Sequence, residues 1–335
     1  MILDVIEGRK IDHSPVWFMR QAGRYMAQYR AIKEKHTFLD MCKTPDLAAE
    51  VTLQPVKKFG FDAAIIFSDI LLPLERMGFG LEFNPGPVIK GSVETKADVD
   101  KLKIPGEKDF DFLAQAIRLV TASLPAEKEV IGFCGAPFTL FAYIMKEKHG
   151  IGFEGALKMK DSAVYAPLME KVTEAVINCA LAQVKAGVKV FQIFDTWAGL
   201  LEPGFYGEHS APYVDKIAGR IKAAGARVIY FFKNGWGLAE AVGKLENIDV
   251  LSVDSSMTLA EFNRRTGNKF ILQGNLDPAV LLKNKDGIKN GIDAVLADSR
   301  GLKGHIFNLG HGVIKETPEE NVMFAVEYIK SAGKR

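Results

Sequence analysis

At 335 residues, with 48% hydrophobic side chains, the chain can bury a large core, and length alone allows one large domain or two ordinary ones. The formal net charge of +2, without a basic stripe or a lysine-rich arm, argues against a nucleic-acid binder; an anion recognised here must meet a few placed cations. No apolar run is long enough to span a membrane, and the acid-bearing start Met1-Ile2-Leu3-Asp4-Val5-Ile6-Glu7 lacks the basic region of a signal peptide. Cys42, Cys134 and Cys179 are odd in number and far apart, so a reducing, cytoplasmic setting is expected.

Short apolar, β-branched or aromatic runs recur along the chain at 16–19, 63–67, 130–134, 189–194, 227–232, 249–253, 269–273 and 305–309. They are continuously apolar rather than alternating, as strands buried on both faces are. Helical stretches lie between them. Thr44-Pro45-Asp46 reads as an N-cap with proline in the first turn, opening a helix through residue 58. Helical spacing also covers 110–122, 162–185 stopped at Gly187, 206–224 stopped at Gly225, and 258–266 stopped at Gly267. Thr317-Pro318-Glu319-Glu320 opens a last helix.

Eight strands alternating with helices predict an α/β fold, a (β/α)8 barrel forming a single domain over residues 1–335. An open doubly wound sheet is the alternative. It calls for a glycine-rich phosphate loop, and Gly78 and Gly80 form no GxGxxG, nor is there a Walker pattern. The short interval between 249 and 273 leaves little room for helices, so the barrel is expected to be distorted there.

A barrel of this kind builds its active site at the C-terminal ends of its strands. The residues at the ends of the runs are, in chain order, Arg20-Gln21-Ala22-Gly23-Arg24, Ser68-Asp69, Gly135-Ala136-Pro137, Asp195-Thr196-Trp197, Lys233-Asn234, Asp254-Ser255, Gly274-Asn275 and Gly310-His311-Gly312. Each residue also has a plainer reading. Arg20 and Arg24 could be solvated, although Gly23 between them suggests a loop with close backbone approach, from which two guanidinium forks could clamp carboxylates. Asp69 could cap a turn, His311 could be structural, Tyr143 could be core packing with Phe138 and Phe141, and Asp195-Thr196 could simply start a loop. The six histidines show no HxH or HExxH and none pairs with a cysteine at ligand spacing, so no metal site is expected. Without a GxSxG elbow, serine hydrolase chemistry has little support. The residues alone give a barrel enzyme whose mouth takes an anionic, carboxylate-bearing ligand; the reaction type does not follow from them.

The stretch Pro15-Val16-Trp17-Phe18-Met19-Arg20-Gln21-Ala22-Gly23-Arg24-Tyr25 closely resembles the signature of the uroporphyrinogen decarboxylase family. The resemblance continues through Phe67-Ser68-Asp69-Ile70-Leu71, Gly135-Ala136-Pro137-Phe138-Thr139-Leu140, Phe194-Asp195-Thr196-Trp197-Ala198-Gly199, Gln273-Gly274-Asn275-Leu276-Asp277-Pro278 and Asn308-Leu309-Gly310-His311-Gly312, in order over essentially the whole chain. It implies a distorted (β/α)8 barrel, commonly a homodimer with facing clefts. It also implies removal of CO2 from the four acetate side chains of uroporphyrinogen III to give coproporphyrinogen III, with no metal and no organic cofactor. By resemblance Arg20, Arg24 and Asp69 are catalytic positions, and these three with Tyr143, Thr196 and His311 bind substrate. In that role the Asp69 carboxylate would accept pyrrole N–H groups and steady a cationic ring, while the arginines hold side-chain carboxylates. Arginine is a poor acid at a reference pKa of roughly 12.5–13.8, so the proton donor stays open between arginine, water and a neighbouring carboxylic acid.

The sequence departs from the family pattern in places. Thr196 stands where serine is frequent, residues 146–153 replace a glycine- and serine-rich loop, Ser255 replaces a tryptophan, and Lys315 replaces a proline. Two rival readings share the fold or the ligand. A zinc-dependent corrinoid-linked methyltransferase of the same superfamily would carry a His-x-Cys pair, which Phe231-Phe232-Lys233-Asn234 lacks. An inactive tetrapyrrole-binding protein would have no need of intact Arg20, Arg24, Asp69 and His311.

Overall fold

The computed structural model describes every residue except 84–85, 150–152, 154 and 333–335, and for 146–149 and 155 the backbone alone. Nine strands are found among the described residues: β1 (Ala63–Ile65), β2 (Gly80–Phe83), β3 (Pro87–Lys90), β4 (Glu129–Gly135), β5 (Val190–Asp195), β6 (Arg227–Phe232), β7 (Val250–Ser252), β8 (Ile271–Leu276) and β9 (His305–Leu309). Seven of them form one parallel sheet in the order β1-β4-β5-β6-β7-β8-β9. The other two make an antiparallel hairpin, β2 with β3, that the hydrophobic runs did not announce.

The expected first strand, 16–19, is not a strand. Its backbone forms a single parallel bridge, Val16 to Phe307. Even so, it occupies the gap between the two edges of the sheet. The Phe307 N–H donates to the Pro15 carbonyl (2.8 Å), the Trp17 N–H to the Phe307 carbonyl (3.3 Å), and the Asp62 N–H to the Val16 carbonyl (2.9 Å). Thus an irregular segment joins β9 to the residue just before β1 and takes the place of an eighth strand. The strand pattern fails there because a chain that must turn at once into Arg20-Gln21 cannot run parallel to both neighbours for several residues.

Helices cover the outside. Pro45–Phe59, Asp111–Ser123, Tyr165–Lys185 and Ala211–Ala223 pack in succession. The helix expected at 206–224 is two, Pro203–His209 and Ala211–Ala223. Pro212 lies in the first turn of the second, and a proline has no N–H with which to carry the first helix onward. The expected stops hold: Gly187, Gly225 and Gly267 take φ of 117°, 97° and 73°. The crowded interval after β7 contains only Leu259–Arg265, capped by the Thr258 hydroxyl accepting the Glu261 N–H at 3.2 Å. The helix Lys285–Asp298 between β8 and β9 was missed, its glycines at 287 and 291 masking the period.

Inside the barrel a polar layer crosses the core. The Trp17 indole N–H donates to Gln273 Oε1 (3.0 Å), and Gln273 Nε2 donates to Gln192 Oε1 (3.0 Å) and Ser252 Oγ (2.9 Å). All four residues are fully buried, so these bonds are what make their burial tolerable.

The seam has its own buried anchor. Asp62, 2% exposed, accepts the Val16 N–H (2.8 Å) on one oxygen and the Lys330 ammonium (2.6 Å) on the other. Replacing Asp62→Ala strands the Val16 N–H and leaves Lys330, itself part-exposed, with only the Gly60 carbonyl (2.7 Å). It should cost about 2 kcal/mol of stability, read by urea unfolding. A loss below about 0.5 kcal/mol, the scale of an ordinary surface change, would show that the seam does not depend on this carboxylate.

Candidate active site

Asp69, Thr196 and His311 lie beyond the C-terminal ends of parallel strands, Tyr143 lies in the helix that follows β4, and Arg20 and Arg24 follow the seam segment, which bridges β9 in parallel. Arg20 leaves the seam with φ 59°, a left-handed conformation uncommon for a residue with a side chain. The segment around it holds that conformation. The Met19 N–H donates to Asn308 Oδ1 (3.0 Å), the Val313 N–H to the Met19 carbonyl (2.9 Å), and the Tyr25 hydroxyl to the Gln21 carbonyl (2.6 Å). The Arg20 side chain then runs directly over Gly312. A Cβ placed there would lie 2.4 Å from Arg20 Cδ and 2.7 Å from Cγ. Close approach was expected of Gly23, where a Cβ meets nothing nearer than 3.4 Å; the glycine that Arg20 requires is Gly312.

Asp69 lies just beyond β1 and is half-buried. One carboxylate oxygen, Oδ1, accepts the Leu71 N–H at 2.8 Å, which is the turn-capping role. The other accepts no hydrogen bond among the described residues. Burial raises the Asp69 pKa to about 6, against the pull of the Leu71 N–H and the Arg20 charge. Tyr143 sits in the helix Pro137–His149 after β4. Burial raises its hydroxyl pKa, Asp69 raises it further, and Trp197 and Arg20 oppose. The Trp197 indole N–H nevertheless finds no hydrogen-bond partner of normal geometry among the described residues. The Tyr143 ring packs edge-on against Phe153 (4.9 Å between centroids), which stacks on Trp197 (3.6 Å). Otherwise the atypical stretch 146–153 lies largely outside the described residues.

His311 is half-buried, and burial lowers its pKa to about 4, with the Arg20 and Lys233 charges pushing the same way and Asp254 opposing. It is therefore neutral near pH 7, a hydrogen-bonding group rather than a third cation. Arg20 is thus felt by Asp69, Tyr143 and His311 alike, and these four converge. Arg24 and Thr196 stand further out. The Arg24 charge reaches Tyr29, and Thr196 is half-buried at the end of β5. Neither Arg20 nor Arg24 forms a side-chain hydrogen bond or ion pair among the described residues, which leaves both guanidinium groups open to a ligand.

Asp195 does more than start a loop. It is fully buried, and its pKa is raised to about 6 by burial, against hydrogen bonds from the Thr139 hydroxyl (2.6 Å) and the Tyr230 hydroxyl (2.9 Å). A phenol has one proton, so with Tyr230 donating to Asp195 the neighbouring Tyr206 hydroxyl, 3.0 Å away, donates to Tyr230. Thr139 also accepts the Trp197 N–H at 3.2 Å, which fixes the turn that carries Thr196. These partners are up to 56 residues from Asp195 in sequence, so nothing local revealed them. Among the described residues no three His, Cys, Asp or Glu side chains gather as metal ligands.

Comparison with known proteins gives the family. The family described as uroporphyrinogen decarboxylase (URO-D) matches residues 1–332. The chain belongs to the uroporphyrinogen decarboxylase family. It is 43% identical over 330 residues to a protein of that name from Geobacter sulfurreducens, covering 98% of this chain and 97% of the relative. A namesake from Trichlorobacter lovleyi is 43% identical over 336 residues, covering 99% and 98%. Membership makes the chain an enzyme, a carboxy-lyase. Among solved structures, a methyltransferase from Methanosarcina mazei superposes with a TM-score of 0.80 at 19% identity over 99% of this chain and 97% of its own. A B12-independent methionine synthase from a Shewanella species does so at 0.58 and 11%. At such identities the likeness is one of fold alone.

Gly312→Ala tests the placement of Arg20. The methyl group must displace the arginine stem while the backbone conformation at 312 remains open to alanine, so decarboxylase kcat/KM should fall by about 10²-fold with the thermal midpoint almost unchanged. Unchanged kinetics would mean that the position of Arg20 is immaterial.

Proposed function

We propose that this enzyme decarboxylates the four acetate side chains of uroporphyrinogen III to give coproporphyrinogen III, with Asp69, Arg20 and Arg24 as catalytic residues and Tyr143, Thr196 and His311 completing the substrate site. The observation that carries the assignment of roles is the convergence on Asp69. Among the described residues, a half-buried carboxylate keeps one oxygen without a hydrogen bond, within reach of the charge of an arginine that has no side-chain partner.

The chemistry asks for that arrangement. A proton added to a pyrrole carbon next to the acetate-bearing one gives a cationic, iminium-like ring. The bond to the carboxylate then breaks, CO2 leaves, and its electron pair forms an exocyclic methylene while neutralising the ring. Protonation of the methylene gives a methyl group, and loss of the first proton restores the pyrrole. The net change is one proton exchanged for CO2. The free oxygen of Asp69 accepts pyrrole N–H and stabilises the ring cation, which is worth most in a recess with little water. Arg20 and Arg24 hold side-chain carboxylates by forked hydrogen bonds. Neutral His311 and Tyr143 hydrogen-bond to others, and the Thr196 hydroxyl keeps the function of the serine it replaces. Because the protonated pyrrole is itself the electron sink, the reaction calls for neither a metal nor an organic cofactor.

The test is Asp69→Asn and Asp69→Glu against wild type, on anaerobic uroporphyrinogen with coproporphyrin measured after oxidation. Asn keeps the shape and loses the charge, so the rate should drop about 10²–10³-fold, with Glu intermediate and the fold intact by circular dichroism. The working form of Asp69 is its carboxylate, present above the raised pKa of about 6 and lost as pH falls through it. The wild-type kcat/KM should therefore decline below about pH 6, and the Asn variant should lack that limb. An Asn variant with near wild-type turnover would leave Asp69 as the cap of Leu71 and nothing more.

The family resemblance further supports a homodimer with facing clefts in a cytoplasmic setting. No helix among the described residues is long and apolar enough to cross a membrane. Sedimentation at micromolar concentration should give twice the monomer mass; a fully active monomer would overturn the dimer.

A further inference from the structure

We infer that Lys233 is a further substrate-binding residue, its ammonium gripping a side-chain carboxylate of the porphyrinogen on the face of the mouth opposite Arg20 and Arg24. This deepens the decarboxylase reading and rests on it. Lys233 directly succeeds β6. In the strand order, with the 15–17 segment closing the ring between β9 and β1, β6 is the fourth strand from that seam in either direction. The two arginines leave the seam itself. A tetrapyrrole carries its carboxylates around its whole rim, so cations on one side alone leave the far rings unheld.

The backbone of Lys233 is fixed from both sides. Toward β5, a Cβ at Gly199 would lie 2.3 Å from the Lys233 carbonyl oxygen and 2.7 Å from that of Asn234, so the turn after Thr196 is packed flush on it. Toward β7, Asp254 accepts the Asn234 N–H, and its other oxygen accepts the Ser256 N–H (2.9 Å) and hydroxyl. The neighbouring carboxylate is therefore already engaged. Lys233 is half-buried yet makes no side-chain hydrogen bond or ion pair among the described residues. Other part-buried lysines are satisfied: Lys171 by the carbonyls of Val99, Asp100 and Leu102, Lys222 by Asp249, and Lys330 by Asp62. An ammonium has three donors and no means of accepting, and withdrawing it from water without a partner is unfavourable. A ligand carboxylate supplies what the protein withholds. Lys233 lies two residues after Phe231, whose ring is 6.3 Å from the His311 ring, and its charge joins that of Arg20 in lowering the His311 pKa.

The experiment compares Lys233→Gln and Lys233→Arg with wild type on uroporphyrinogen, and tracks the His311 imidazole by NMR titration. Loss of one charge-assisted hydrogen bond should raise KM roughly ten- to a hundredfold in the Gln variant, with kcat changed by less than about threefold and an unaltered thermal midpoint. Arg should recover most of the loss. Removing the positive charge should also raise the His311 pKa. A Gln variant with KM within about twofold of wild type overturns the inference; so does equal impairment of Gln and Arg with a lowered midpoint, or a His311 titration that does not move. A wild type that does not decarboxylate uroporphyrinogen overturns the reaction and this role together, whereas a shift at His311 would still place the ammonium in the mouth.

Discussion

The structure depends on three backbone hydrogen bonds at the seam, those of Phe307, Trp17 and Asp62 with residues 15–17. A seven-stranded parallel sheet has two edges, and edges expose unpaired donors and acceptors. Here one short segment takes both. Because it bridges for a single pair and then turns, Arg20 emerges at the rim with its left-handed backbone instead of continuing along a wall. The position of Arg20 is thus a product of how the barrel is closed. Asn308 strengthens the link, since its side-chain oxygen serves both the Met19 and the Leu309 N–H groups, tying the arginine segment to the strand that presents His311.

Burial, more than pairing, sets the charges in the mouth. Asp69 and His311 are both pushed toward neutrality, one upward and one downward, and at neutral pH the outcomes differ because their starting values differ. The carboxyl stays largely ionised and the imidazole does not charge. Arg20, Arg24 and Lys233, by contrast, have no carboxylate partner among the described residues. Had Arg20 been bound to a carboxylate of its own, the ligand would have had to break that pair, and much of the gain on binding would vanish.

Much of this was legible in the sequence because buried parallel strands are short and uniformly apolar. Seven of the eight runs correspond to strands of the sheet, and helix stops at Gly187, Gly225 and Gly267 reflect a backbone few other residues adopt. The segment 16–19 misled because its apolar residues fill the core as a strand's would, while its hydrogen bonding depends on Phe307 and Asp62, both distant from it in sequence. The strand-end rule pointed to Asp69, Thr196 and His311, and to Arg20 through a run that is not a strand; Tyr143, on a helix, needed the family resemblance. The same rule had already reached Lys233. What it could not give was the absence of a partner, which only the folded surroundings reveal. The hydroxyls that hold Asp195 and the glycine that admits the Arg20 stem are likewise long-range facts.

The two raised carboxyls, Asp69 and Asp195, have a consequence for the molecule as a whole. Each titrates at about 6 in the fold, whereas in an unfolded chain each would titrate near the ordinary aspartate value of 3.8. Between those limits the native protein retains protons that the unfolded chain gives up, so unfolding there releases acid into the medium. As far as these two groups decide, mild acid favours the folded state, and the advantage fades as pH climbs through 6. The conditions that best preserve the barrel are accordingly mildly acid ones: at neutral pH the protein keeps two carboxylate charges that their surroundings disfavour.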